Sequence, residues 1–271
     1  VPPKNPAIQI KKRKVLMNAS IPTKNIAHNW LNVSIIVLIA LALQFFTWFV
    51  LYPIAGYSDT TLTIAQSIFL LFGLGSVLAL RLNFIRIGVG PANLLRAGVG
   101  ILFSYGILLM FLVLLNILGL RVALFRQVYS PYALVNNWLL TGFGEELVFA
   151  GVLFNLVRLA LYQPRRPWMA ILITSSAFAL WHLPGYLAVG INMGTLGPGL
   201  IFDLLINIIS WVFLGMIYWL SGNLWLTAFA HASTDYSLLP AVTNSPVYGL
   251  ILMLFIIAFA FWSGRRWKSE P

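Results

Sequence analysis

Long apolar runs separated by short polar or basic connections make up almost the whole chain. They fall at about 31–52, 61–80, 97–118, 133–157, 168–190, 200–220, 224–240 and 246–262. A helix needs roughly 20 apolar residues to cross the hydrocarbon core, so the pattern predicts an all-α protein, a polytopic transmembrane helix bundle of about eight spans. The run at 224–240 is short, and only the turn Ser221-Gly222-Asn223 divides it from the run before. Pro184, followed by the Gly-rich stretch 185–198, predicts a helix break just after His182. The run at 31–52 is too long for a signal-peptide core and reads as a first span.

Composition strengthens this reading and narrows it. Hydrophobic residues make up 60% of the 271 and charged residues 8%, with a mean hydropathy of +0.90; soluble domains carry about 25% charged residues. No large polar block remains, so residues 31–262 form one membrane-embedded domain between basic tails at 1–30 and 263–271. The net charge of +11 does not imply nucleic acid, because its lysines and arginines are not gathered on a soluble module. They sit as topology determinants do. With the N-terminal tail inside, fifteen positive charges fall on inner segments, against Arg121 and Arg126 outside. That asymmetry predicts an integral protein of a cell membrane or endomembrane with both termini cytoplasmic. The absence of cysteine excludes disulfides, thiolate metal sites and a cysteine nucleophile.

Against this background the ionisable residues stand out. Glu145, Glu146, His182, Asp203, His231 and Asp235 all lie inside apolar runs, where each such group costs about 2.5–3.5 kcal/mol on insertion scales. Glu145 and Glu146 are adjacent and point about 100° apart on a helix, so one can face a cavity and the other a neighbouring helix. Two close carboxylates in low dielectric resist joint ionisation. One can then serve as a general base while its neighbour stays protonated or finds a partner. Phe178 and His182 share a helix face, as do His231 and Asp235, so Asp235 is placed to orient His231. Asp203, with Asn207 four residues on, reads as an interhelical polar contact. Trp181 and Trp225 read as packing or interface aromatics.

The three motifs together, Glu145-Glu146 followed by Gly151-Val-Leu-Phe154, then Phe178-Ala-Leu-Trp-His182, then Leu224-Trp-Leu-Thr-Ala-Phe-Ala-His-Ala-Ser-Thr-Asp235, resemble the CAAX-processing and bacteriocin-processing family of intramembrane proteases. The resemblance covers about residues 130–240. It implies a bundle with a polar catalytic cavity open to membrane and cytoplasm, and five catalytic residues. Glu145 would activate the attacking water, Glu146 would support the site, His182 would share in water activation, and His231 would help bind the oxyanion. Asp235 would fill a position the family gives to Asn or Asp. One departure is plain: the arginine that usually follows the glutamate pair is Ala150 here. Without it Glu146 must be protonated, paired with a group from another span, or solvated.

The function expected is hydrolysis of a peptide bond in a membrane-associated or prenylated peptide, with membrane lipids as the other partner and no nucleic acid. No cofactor is certain. A Zn²⁺ held by Glu145, His182 and His231 is chemically acceptable, although no His-Glu-x-x-His helix is present. Two other readings compete. Ala150 motivates a catalytically degenerate member that acts as a binding or bacteriocin-immunity protein. The intramembrane carboxylates and histidines also suit a proton-coupled transporter, although the paired broken helices that would favour one are missing.

Overall fold

The structure is a computed structural model that describes residues 26–120, 122, 124, 129–161, 167–193 and 198–267, without the side chains of 193, 198, 243, 244 and 265–267. The basic tail at 1–25, Arg121, Arg126, the connection at 162–166 and the terminal 268–271 lie outside the described residues. Much of the expected charge asymmetry therefore rests on the sequence.

Every regular element among the described residues is helical. In chain order they are α1 (Ile26–Ala55), α2 (Asp59–Ala79), α3 (Pro91–Ile117), α4 (Pro131–Ala160), α5 (Pro167–Met193), α6 (Pro198–Ser221), α7 (Leu224–Asp235), the short α8 (Pro240–Asn244) and α9 (Pro246–Trp267). Seven of these are long and apolar enough to cross a membrane. The eighth predicted span is α7, whose 12 residues reach about 18 Å at 1.5 Å each. That is short of a hydrocarbon core about 30 Å thick, so α7 does not cross by itself. α9 ends beside the end of α6, where a Cβ on Gly264 would meet the Leu220 carbonyl oxygen, so α7 and the residues after it together carry the chain back across.

The helix break expected after His182 is not found: α5 runs through Pro184 to Met193, so residues 185–193 of the Gly-rich stretch are helix. A proline in a span costs one main-chain hydrogen bond, and surrounding protein can re-satisfy the freed carbonyl. Here Pro184 and Gly185 are both buried.

The bundle is built around α4. In its most apolar window 89% of residues are buried, against 17–33% in α1, α2, α3, α6 and α9. The outer helices spend their apolar side chains on lipid, as Leu38, Leu71, Leu102 and Ile201 do, each more than 60% exposed. The helix that carries the glutamate pair is thus the one most removed from lipid. It is also irregular. Residues Asn136–Thr141 and Leu147–Phe154 are π-helical, and the α-helical turn Gly142–Glu146 lies between them. Such wide turns recur at functional sites.

α7 is pinned at both ends beside α4. The Asn223 side chain caps it, accepting from Leu226 N–H at 3.2 Å and donating to the Asn93 carbonyl at 2.8 Å. Trp225 Nε1 donates to the Val89 carbonyl at 3.0 Å. At the far end Trp138 Nε1 donates to the Tyr236 carbonyl at 3.0 Å, and Tyr105 and Ser237 share a hydroxyl bond of 2.9 Å. Gly142 lets the two helices close up, since a Cβ there would lie 2.8 Å from the Ala228 carbonyl oxygen.

Candidate active site

That close approach brings His231 of α7 onto the glutamate pair of α4. His231 Nδ1 lies 2.9 Å from Glu146 Oε1, while Nε2 lies 3.7 Å from Glu145 Oε2 and 3.5 Å from Asp235 Oδ2. One imidazole is therefore shared among three carboxylates. The stacking of His231 and Asp235 on one helix face is as their spacing suggested. Glu146 has no exposed surface, whereas the Asp235 side chain is 34% exposed, so the cluster runs from a sealed interior to the edge of the bundle.

Glu146 is not solvated: of the three fates open to it, the structure shows pairing with a group from another helix, His231 of α7. Ala150 is itself fully buried in the apolar core. It lies on the π-helical stretch, where main-chain bonds span five residues rather than four, so residue 150 is displaced from the face it would share with Glu146 on an α-helix. Replacing Ala150 by arginine is therefore expected to destabilise the protein, by about 3 kcal/mol or more from overpacking and an unpaired buried charge. Reversible denaturation of the two forms in the same lipid–detergent mixture measures this.

His182 of α5 reaches the site from a different side. Its Nδ1 lies 3.0 Å from the Phe178 carbonyl, and its ring packs on Phe178 at 4.5 Å between centroids. With Nδ1–H donating to that carbonyl, Nε2 is left as an acceptor. Phe178 also stands edge-on to His231 at 5.7 Å, so one aromatic ring separates the two imidazoles. His182 and Glu145 line the same cavity, of about 430 Å³.

The cavity uses helices in which the sequence offered no chemistry. Gln66 of α2 interacts with the Glu145 side chain, and Trp48 and Tyr52 of α1 and Tyr57 beyond it line the wall. A lone Gln or an aromatic belt residue in an apolar run carries no local signal of such a role. Trp181 packs on Phe69 at 4.7 Å and on Phe149 at 5.5 Å, as a core aromatic, and also borders the cavity. Trp225 stacks on Phe143 at 4.2 Å. The interhelical contact expected of Asp203 belongs to its neighbour: Asn207 donates to the Tyr186 hydroxyl at 2.6 Å and to the Asp203 main-chain carbonyl at 3.0 Å. Asp203 itself lines the cavity.

Among the described residues no three His, Asp or Glu side chains are arranged to hold a metal. Each imidazole has a partner at Nδ1, a carbonyl for His182 and Glu146 for His231, and it is Nε2 of each ring that remains for the site's chemistry.

No curated protein and no solved structure matches the chain. Residues 127–237 match the family model described as Type II CAAX prenyl endopeptidase Rce1-like. The matched segment carries all three motifs, and it is similar to the CAAX-processing and bacteriocin-processing family of intramembrane proteases.

Proposed function

We propose that the protein is a working intramembrane endopeptidase that hydrolyses a membrane-held peptide by water activated at Glu145. The observation that carries this reading is the Glu146–His231–Glu145 cluster beside a cavity inside the bundle. Glu145 is the carboxylate that reaches the cavity, and it serves as general base, worth about 10²–10⁴ in rate. The Nε2 lone pair of His182 accepts a hydrogen bond from the same water and orients it. Attack on the peptide carbonyl forms the new C–O bond, and Glu145 takes the water proton. On collapse of the tetrahedral intermediate the C–N bond breaks, and Glu145 passes that proton to the leaving amine.

His231 stabilises the oxyanion, which requires an N–H on Nε2. Either a protonated Glu146 donates to Nδ1, or the ring is an imidazolium donating at both nitrogens. Each arrangement leaves Nε2–H available. Asp235 Oδ2, 3.5 Å from Nε2, orients the ring through its charge and leaves the N–H to the oxyanion, so Asp235 itself does not need to donate. No step passes through a metal.

Both termini are proposed to be cytoplasmic, on the fifteen-to-two charge asymmetry. Under that topology the α1–α2 connection, and the cavity end it borders, face the outer side. Substrate approaching Glu145 along this cavity would then come from the outer side of the membrane rather than from the cytoplasm.

The non-catalytic reading rested on Ala150. It loses force once Glu146 has a partner, because the cluster no longer lacks a counterpart for that carboxylate. The test in cells is quantitative terminal proteomics with wild type and Glu145→Ala. Leader or C-terminal cleavages that vanish in the variant support hydrolysis, and identical terminomes count against it.

A further inference from the structure

The cavity has a second polar end. Asp203 of α6 lies on its wall, within a span, and forms no ion pair among the described residues. Its surroundings hold no compensating cation, since no Lys or Arg is among the described residues that line the cavity. An ionisable group in a span needs a partner or a task, and the mechanism above uses Glu145 and His182 but not Asp203.

Three rings stand on the same wall. Trp48 and Tyr52 meet edge to face at 5.0 Å, Tyr52 and Tyr57 at 5.0 Å, and Trp48 and Tyr57 stack at 6.4 Å. Trp48 is held against α5 at Gly185, where a Cβ would come within 2.8 Å of its Nε1. The next residue, Tyr186, receives the Asn207 hydrogen bond at 2.6 Å and stacks on His182 at 6.2 Å. Asp203 lies close enough to act electrostatically on the Tyr186 hydroxyl. The aromatic group, the carboxylate and the catalytic end thus share one cavity, linked through Tyr186.

Aromatic faces and a carboxylate attract the same kind of ligand, an organic cation with an apolar stem. We propose that this end of the cavity is a specificity subsite for a lysine or arginine side chain of the substrate, its charge held by Asp203 and the Trp48, Tyr52 and Tyr57 rings. The apolar stem of the side chain lies along the lining between them. This rests on the endopeptidase reading for its biological meaning but not for its chemistry, so binding can be tested apart from turnover.

Binding of hexylguanidinium, hexylammonium, hexyltrimethylammonium and hexanol to the full chain in lipid nanodiscs is measured by saturation-transfer NMR. The proteins are wild type, Glu145→Gln, Asp203→Asn and Tyr57→Leu. The guanidinium and primary ammonium are expected to bind wild type and Glu145→Gln at least tenfold tighter than hexanol, and Asp203→Asn to lose most of that preference. Tyr57 is 69% exposed, so its replacement tests the rings with little risk to folding and is expected to weaken both cations severalfold. Equal binding of hexanol and the cations, or an undiminished preference in Asp203→Asn, overturns the proposal. Tightest binding of the trimethylammonium overturns it in favour of a choline headgroup. In turnover, wild type is expected to favour a membrane peptide with Lys over its Met counterpart by about tenfold in kcat/KM, and Asp203→Asn to erase the ratio. Failure of all turnover with the cation preference intact would sink the endopeptidase reading alone.

Discussion

Glu145→Gln is expected to lower the rate of peptide-bond cleavage by at least a hundredfold, and by up to about 10⁴-fold, while leaving the fold intact. Glutamine keeps the shape of the side chain but cannot take a proton from water, and a positioned general base contributes about 10²–10⁴ in rate. Glu145 is only 3% exposed, and Glu145 Oε2 makes no hydrogen bond within the described residues. The substitution therefore breaks no hydrogen bond at that oxygen and removes only its 3.7 Å charge contact with His231 Nε2. The loss should appear in kcat with little change in KM, because the proton moves only on the way to the transition state. A comparable fall in KM would point to relief of ground-state strain instead.

The second large effect falls on stability. His231→Ala is expected to cost about 1–5 kcal/mol, the low end for a buried acid that loses its hydrogen-bond partner and the high end for a buried charge that loses its counter-ion. Glu146 has no exposed surface and no other cation beside it among the described residues. Once the imbalance is removed the structure should recover. A Glu146→Met, His231→Phe double variant replaces the pair with apolar groups of similar size, and such exchanges are often neutral or stabilising. It should therefore regain most of the lost stability and none of the activity. A double variant as unstable as His231→Ala would mean that the pair is not the source of the cost.

The legible and hidden parts of this molecule divide along a physical line. Span existence is a one-body property: apolar length alone located the helices, and α2, predicted at 61–80, is found at Asp59–Ala79. The glutamate pair and both motif histidines were visible because an ionisable group in lipid is costly wherever it sits. What pairs with what is a property of packing. The sequence left three fates open for Glu146, and only the approach of α7 at Gly142 selects His231. The π-helical turns of α4 and the passage of α5 through Pro184 were hidden for the same reason, since neighbouring helices stabilise them. Gln66, Trp48 and Tyr57 look like ordinary membrane residues until α1 and α2 are placed against the site. Asp203 shows the opposite failure: its chemistry was noticed, but its direction was not readable from an i,i+4 spacing with Asn207.

The central claim, that this cluster hydrolyses peptides inside the bundle, is tested most directly by a mass-spectrometric time course. Purified chain in nanodiscs is given a library of membrane-anchored peptides after chelator treatment, beside Glu145→Gln prepared in the same way. The account predicts new peptide termini that accumulate with wild type and are at least a hundredfold slower with the variant. Termini that appear at equal rates with both proteins would contradict it.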